Sequence, residues 1–138
     1  MIVQSARLEL QLVSAKLQVP KPYRSLIPRP RLLETASAFP VVLLVADAGY
    51  GKTSLLYQLS RLAWRTIWYT LDARERDPYV FALHLLEALG ADHALWEVRQ
   101  APEERLAQVL ARLTLAVAEE SSASMLLVLD DYHTVMDD

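Results

Sequence analysis

Residues 46–53 decide the fold of this chain, and their sequence is Ala46-Asp47-Ala48-Gly49-Tyr50-Gly51-Lys52-Thr53. A short apolar and β-branched run, residues 41–45, precedes them and predicts a strand buried on both faces of a parallel sheet. Residues 53–63 follow and predict an amphipathic helix, because leucines recur there at helical spacing. Those leucines are Leu55, Leu56, Leu59 and Leu62. The stretch thus predicts a strand, a glycine-containing turn and a helix, in that order.

This turn has the composition of a phosphate-binding loop. Gly49 and Gly51 allow the backbone angles and close approach by which several N–H groups converge on one phosphate. The following helix adds its N-terminal N–H groups and the positive end of its dipole. Lys52 can reach the terminal phosphates of a nucleotide, and Thr53 can place its hydroxyl on Mg²⁺. The candidate nucleotide-binding residues of this segment are Ala48, Gly49, Tyr50, Gly51, Lys52, Thr53 and Ser54.

Short glycine motifs also recur by chance at helix starts, but the position between an apolar run and an amphipathic helix favours the phosphate loop. Two positions are unusual. The strict G-x-x-x-x-G-K-[ST] pattern has glycine where this chain has Ala46, which is tolerable if its φ is negative. Asp47 places a carboxylate inside the loop, where it repels a phosphate unless it points outward.

A second acidic site follows the apolar run of residues 125–129. Asp130 and Asp131 come directly after it, at the end of a predicted strand, where ligands bind in open α/β sheets. We expect Asp130 to hold Mg²⁺ through water, with Thr53 as the other metal-site residue. Asp131 is the catalytic candidate, to polarise an attacking water or to organise the surroundings of the metal. The alternative for the pair is an acidic strand end on the surface.

The remaining chain continues the alternation of helices and strands. We predict helices over residues 31–39, 77–89 and 102–118, and strands over residues 66–71 and 125–129. Residues 20–30, with four prolines, predict an extended connector. Residues 2–16 fit either a helix or an extended segment. The order predicts an α/β fold with a parallel sheet and right-handed crossovers.

Composition restricts the possible functions. The 138 residues suffice for one domain, and 53% hydrophobic residues permit a sizeable core. The net charge of −3 argues against a nucleic-acid-binding surface along the whole chain. The absence of cysteine excludes disulfides and thiolate metal sites, in keeping with a cytoplasmic location. The apolar runs are too short to cross a bilayer, so we expect no membrane association.

Several segments together resemble the ATPase domain of MalT-like regulators, the large ATP-binding LuxR-type transcription factors of the signal-transduction (STAND) ATPase class. The residues that carry the resemblance are Lys16-Leu17 with Pro20, Leu26-Ile27-Pro28-Arg29-Pro30-Arg31-Leu32-Leu33, Ala48-Gly49-Tyr50-Gly51-Lys52-Thr53-Ser54-Leu55-Leu56, Leu71-Asp72, Asp77-Pro78 with Phe81, and Leu127-Val128-Leu129-Asp130-Asp131-Tyr132-His133. The family usually has alanine at the position of Ala46 and proline at that of Asp47. The resemblance covers about residues 16–136.

The resemblance implies a P-loop NTPase fold, in which a parallel sheet is flanked by helices and the chain is truncated after the Walker B strand. It implies an N-terminal segment and adenine-side linker over residues 1–39, and a partial P-loop NTPase domain over residues 40–138. It adds Arg29 to the nucleotide-binding residues, because residues 26–29 would line the adenine pocket. The family's strand order places a further strand between the Walker A and Walker B strands. We therefore expect either that residues 41–45 and 125–129 pair directly, or that a gap exposes their apolar side chains.

The function implied by the resemblance is a nucleotide-dependent switch. ATP and Mg²⁺ are the expected ligands, and hydrolysis is at most slow. In the family, ATP and an effector drive self-association through the ATPase domain, and promoter DNA is bound by a C-terminal domain that this chain lacks. Two alternatives stay open. The chain is a small P-loop enzyme that consumes NTP, or a degenerate P-loop module that retains the fold without the ligand; turnover and nucleotide titration distinguish them.

Overall fold

The computed structural model of the protein describes residues 14–22, 25–90, 102–120 and 124–136. These residues form four main α-helices, two strands and two 3₁₀ turns. The helices are α1 (Pro30–Ser37), α2 (Lys52–Ser60), α3 (Pro78–Ala88) and α4 (Pro102–Glu120). The strands are β1 (Arg65–Thr70) and β2 (Met125–Asp130), and the 3₁₀ turns are Ala73–Arg76 and Tyr132–Thr134. Residues 14–16 are also helical. No helix in the described ranges is long and apolar enough to span a membrane.

The two strands pair in parallel, as predicted. Their register runs from Arg65 opposite Met125 to Thr70 opposite Asp130. The bonding continues one step beyond the strands, where the Leu71 N–H donates to the Asp130 carbonyl at 3.0 Å. Because the strands are parallel and in register, both carboxyl ends meet at one edge of the sheet. This edge is where the sequence predicted the acidic site.

Helices α3 and α4 pack together and cover the sheet through a small apolar cluster. Its buried members are Ile67 of β1, Leu86 and Leu89 from the α3 region, and Ala116 of α4. The start of α3 agrees with its predicted cap, since the Asp77 carboxylate accepts from the Tyr79 N–H at 2.8 Å and Pro78 follows at N1. The described residues thus form an α/β structure with a small parallel sheet and flanking helices.

The predicted strand over residues 41–45 is wrong for the described structure. These residues form no regular element, and the only sheet among the described residues is the β1–β2 pair. Val41 is 86% exposed and Val45 82%. An apolar, β-branched run makes a strand favourable but cannot supply the neighbouring backbone that a strand must bond to. Of the two expected arrangements, the structure shows the gap with exposed apolar side chains.

Helix α2 is shorter than predicted, because it ends at Ser60 and not at residue 63. The Ser60 carbonyl accepts from the Thr66 hydroxyl at 3.0 Å, which ties the helix end to the start of β1. Leu62 therefore lies beyond the helix and is 63% exposed, so its predicted place on the buried helical face is wrong. Trp64, directly before β1, is also exposed, whereas Trp68 is fully buried in β1.

Lys16 ties the described N-terminal residues to the turn that follows β1. Lys16 Nζ lies 2.7 Å from Glu75 Oε1 and 2.8 Å from Asp72 Oδ2, both just after β1. The described part of the predicted connector, residues 20–22 and 25–29, contains no helix or strand. It leads into α1, which begins at Pro30, and which ends two residues before the predicted end at 39.

Candidate functional site

The glycine loop, residues 46–51, has the backbone conformation that its glycines permit. Gly49 has φ +83° and Gly51 has φ +79°, both in the left-handed region where a side chain is strained. Gly51 is the N-cap of α2, so the loop feeds directly into the helix N-terminus. Asp131 is the one non-glycine among the described residues with positive φ. Ala46 thus avoids the left-handed region, which removes the steric objection to alanine at that position.

Lys52 and Thr53, both in the first turn of α2, make contacts with different parts of the site. Lys52 Nζ donates to the Ala46 carbonyl at 2.6 Å and to the Asp47 carbonyl at 3.0 Å, so its ammonium lies against the glycine loop. The Thr53 hydroxyl donates to Asp130 Oδ2 at 2.9 Å. The structure therefore brings together the loop, the lysine, the threonine and the first acid, as the sequence predicted.

The two acids at the end of β2 differ in environment. Asp130 is 7% exposed, and its second oxygen, Oδ1, accepts from the Asp131 N–H at 3.0 Å. Asp131 is exposed, with φ +58° and ψ +33°, an orientation that aspartate tolerates better than most residues. Its carbonyl accepts from the Thr134 N–H at 3.0 Å, which starts the 3₁₀ turn that follows. Asp130 is thus held in one position, and the Asp131 side chain points to solvent beside it.

Arg29 reaches the glycine loop from outside the motif. A Cβ atom built on Gly51 would lie 3.1 Å from Arg29 Nη2, so the guanidinium stands directly over that glycine. Gln58 of α2 contacts the chain on both sides of Pro28, which brings Arg29 to this position. The sequence interpretation missed Gln58 because it followed only the leucines of this helix. The available signal was a polar residue inside that predicted amphipathic helix.

The other predicted loop residues play smaller parts here. Ala48 and Tyr50 are exposed, with Tyr50 at 65%, so their side chains pack little against the described chain. The Ser54 carbonyl accepts from Gln58 Nε2 at 3.3 Å. Asp47 is exposed, which meets the condition under which its carboxylate is compatible with a phosphate. Among the described residues, no group of three or more histidine, cysteine, aspartate or glutamate side chains is arranged to hold a metal ion.

A buried polar cluster lies just beyond β1 and anchors Lys16. His84 Nδ1 lies 2.6 Å from Tyr69 Oη and 2.9 Å from Glu75 Oε1, and the Glu75 side chain is fully buried. Burial acts to raise the pKa of Glu75, but hydrogen bonds from Lys16 and from the Asp72 N–H outweigh it and leave that pKa low. Burial also lowers the pKa of His84 and raises that of Tyr69. His84 is buried in this cluster and bonded through Nδ1, so its role is structural.

Comparison with known proteins gives a consistent set of relatives. The chain is 33% identical over 134 residues to the HTH-type transcriptional regulator MalT of Vibrio cholerae serotype O1, a match over 91% of this chain. It is 32% identical over 133 residues to the protein of the same name from Cronobacter sakazakii, over 90% of this chain. The chain spans 15% of the length of each of these curated relatives.

The other two comparisons identify nothing. No protein-family model matches the chain. No solved structure matches it significantly. The relationship therefore rests on sequence identity to the curated relatives over about nine-tenths of this chain. Across nine-tenths of its length, this chain is a MalT-like sequence, related to the HTH-type transcriptional regulators of that name.

Proposed function

We propose that the chain binds ATP and Mg²⁺ at the glycine loop, within a P-loop NTPase type of fold. The observation that carries the proposal is the 2.9 Å hydrogen bond from the Thr53 hydroxyl to Asp130 Oδ2. These residues are 77 positions apart, and their contact sets the start of α2 against the carboxyl end of β2. A helix N-terminus preceded by glycines favours phosphate, and oxygen ligands beside it favour the accompanying cation.

The donor atoms at this place suit Mg²⁺ better than a transition metal. Thr53 offers a hydroxyl and Asp130 a carboxylate, both hard oxygen ligands, and no histidine or cysteine is part of the set. Mg²⁺ binds proteins through few side chains and completes its shell with water and phosphate oxygens. Two residues therefore suffice, and Asp130 would act directly or through a bound water. A bound metal neutralises phosphate charge and orients the terminal phosphates.

Lys52 supplies the positive charge for the phosphates in this proposal. Its ammonium lies against the Ala46 and Asp47 carbonyls at the rim of the loop. These are neutral partners, and a phosphate oxygen is a stronger one because both groups are then charged. Lys52 would therefore turn from the carbonyls to the nucleotide without leaving the loop. Asp131, exposed next to Asp130, is our candidate for any slow hydrolysis, in which it would orient a water molecule.

We propose further that nucleotide binding here serves transcription regulation. The support is the name of the relatives, HTH-type transcriptional regulator, which is shared by proteins that match nine-tenths of this chain. In this proposal ATP is a regulatory ligand, and self-association and promoter binding belong to the whole regulator. A regulatory site needs occupancy more than turnover, so hydrolysis would be slow.

The test is a titration of the 138-residue chain with a fluorescent ATP analogue, with and without Mg²⁺. Saturable binding that Mg²⁺ strengthens and unlabelled ATP reverses is the expected result. Absence of binding at millimolar nucleotide would contradict the proposal and favour the degenerate interaction module. Phosphate release is measured on the same sample: turnover near 1 s⁻¹ or faster, in the range of NTP-consuming enzymes, would favour the enzyme alternative.

A further inference from the structure

Gln58 joins helix α2 to the segment that carries Arg29. Its side-chain Oε1 accepts from the Arg29 N–H at 3.2 Å, and its Nε2 donates to the Ile27 carbonyl at 3.2 Å. The same Nε2 donates to the Ser54 carbonyl, one turn earlier in α2, at 3.3 Å. One amide thus holds two backbone groups on either side of Pro28, and the third contact orients the amide along its own helix.

The chemistry of the three partners determines the orientation of this amide. An amide oxygen only accepts, and an amide nitrogen only donates. The backbone offers one N–H, from Arg29, and two carbonyls, from Ile27 and Ser54. A flipped amide would set its oxygen against two carbonyls and its nitrogen against an N–H, losing all three bonds. Gln58 therefore recognises the backbone of residues 27–29 in one register.

This register determines where the Arg29 side chain lies. Arg29 is the N-cap of α1, with φ −126° and ψ +64°, and its carbonyl accepts from the Leu33 N–H at 3.1 Å. Its backbone is thereby held from α1 and from α2 together. The guanidinium is half-buried over Gly51, where Nη2 lies 3.1 Å from a Cβ built on that glycine. Within the described part of the chain, the Arg29 guanidinium makes no ion pair with any acid.

We infer that Gln58 is a positioning residue of the nucleotide site, which holds Arg29 over the glycine loop so that its guanidinium contacts the phosphates. The inference rests on the proposed ATP site and adds to it a residue outside the glycine motif. A half-buried guanidinium without an acidic partner has its donors available, and its planar fork matches phosphate oxygens. Arg29 thus supplies the charge at the phosphates, and Gln58 contributes only by holding Arg29 in position.

The experiment is a double-mutant cycle on the 138-residue chain, read by competition of ATP and of AMP against the fluorescent ATP analogue. The variants are Gln58→Met, Arg29→Met and their combination; methionine keeps the length and helix propensity of glutamine. Each single substitution should weaken ATP binding about tenfold, as expected for the loss of one charged hydrogen bond. It should weaken AMP binding much less. The double variant should lose no more ATP affinity than either single variant, because Gln58 acts through Arg29. Gln108→Met, at an exposed position of α4, is the matched control.

Each outcome has a distinct meaning. Additive losses, or equal losses of ATP and AMP affinity, would mean that Gln58 only supports the fold and would overturn the inference. Unchanged ATP affinity in Gln58→Met, together with a loss in Lys52→Ala, would overturn it while leaving the proposed ATP site intact. If no variant and no wild-type chain binds ATP, the proposed function itself has failed. If Gln58→Met unfolds, Arg29→Met by itself tests the phosphate contact. A larger loss of ATP affinity than of AMP affinity would support the contact, and equal losses would overturn it.

Discussion

The Thr53 hydroxyl donates to Asp130 Oδ2 at 2.9 Å, across 77 positions of the chain. This bond joins the first turn of α2 to the last residue of β2. It matters because neither residue type is diagnostic alone: threonines open many helices, and aspartates end many strands. Their contact beside two left-handed glycines is what makes this edge of the sheet a candidate site for a nucleotide and its cation.

Asp130→Asn should reduce Mg²⁺-dependent binding and leave metal-free nucleotide binding nearly unchanged. Asparagine still accepts from Thr53 through its amide oxygen, but it lacks the charge that attracts the cation. We expect the factor by which Mg²⁺ strengthens nucleotide binding to fall about tenfold, as for the loss of one charge-assisted contact. The measurement is the analogue titration with Mg²⁺ and with a chelator. Equal losses in both conditions would show that Asp130 supports the fold and not the metal.

Lys52→Ala should weaken nucleotide binding by on the order of 2 kcal/mol or more, because it removes a charge-assisted contact with the phosphates. Lys21→Ala, at an exposed position of the N-terminal connector, provides the control and should bind as the wild type does. Both variants are compared by the same titration in Mg²⁺. Equal affinity of Lys52→Ala and the wild type would refute the phosphate-loop assignment.

Asp47→Pro should tighten ATP binding by about 1 kcal/mol at most, since a solvated carboxylate repels phosphate only weakly. The loop can accept proline because, among the described residues, none accepts a hydrogen bond from the Asp47 N–H. The Asp47 carbonyl, which accepts from Lys52 and from the Tyr50 N–H, is retained. Unchanged affinity would mean that the exposed carboxylate is already fully screened.

The buried cluster around Glu75 should make the free energy of unfolding fall in acid. The pKa of His84 lies below its ordinary 6.5 because of burial. Hydrogen bonds from Arg74 and Lys16 lower the pKa of Asp72 from its ordinary 3.8, and the pKa of Glu75 lies below its ordinary 4.5. In each case the unfolded chain takes up its proton at a higher pH than the folded one, so this stability is present at neutral pH and is lost as pH falls. Denaturant titrations should show a first decline below pH 6.5, and a steeper one below pH 4.5.

The control for this pH dependence is His84→Gln. It should flatten the decline between pH 6.5 and 4.5 and leave the more acidic one, because only the carboxylates still titrate there. A wild-type chain whose unfolding free energy is constant from pH 7 to pH 5 would contradict the low pKa of His84.

Val41→Ala and Val128→Ala should differ sharply in their cost to stability. Val128 is 2% exposed in β2, so truncation removes buried methyl groups at a cost of about 2 kcal/mol. Val41 is 86% exposed, and truncation there should change the unfolding free energy by less than about 0.5 kcal/mol. Denaturant unfolding of both variants gives the comparison. A cost at Val41 as large as that at Val128 would show that residues 41–45 are buried in solution, as the sequence first suggested.

Local signals in the sequence predicted most of the elements. Asp77 and Pro78 placed the start of α3, and the apolar run of residues 125–129 placed β2. The glycine loop was also predictable, because only glycine occupies left-handed φ without strain at two alternate positions. The candidate site followed from these neighbours, with Lys52 and Thr53 one and two residues after Gly51.

Residues 41–45 show where the same kind of signal fails. Their composition resembles that of residues 125–129, yet only the latter form a strand. β2 has β1 beside it in register, and residues 41–45 have no partner among the described strands. Strand formation is a property of two segments, so one segment's side chains cannot decide it.

By itself the sequence determined the local conformations: the left-handed glycines, the capped start of α3, and the residue types available for phosphate and metal. These depend on contacts within a few positions of the chain, which the residues themselves dictate. Only the tertiary structure decided which distant groups meet: Thr53 with Asp130, Lys16 with Glu75, and Gln58 with the backbone of residues 27–29. Such contacts depend on the register of packed helices and strands, and this register is set by the whole core at once, so no single motif encodes it.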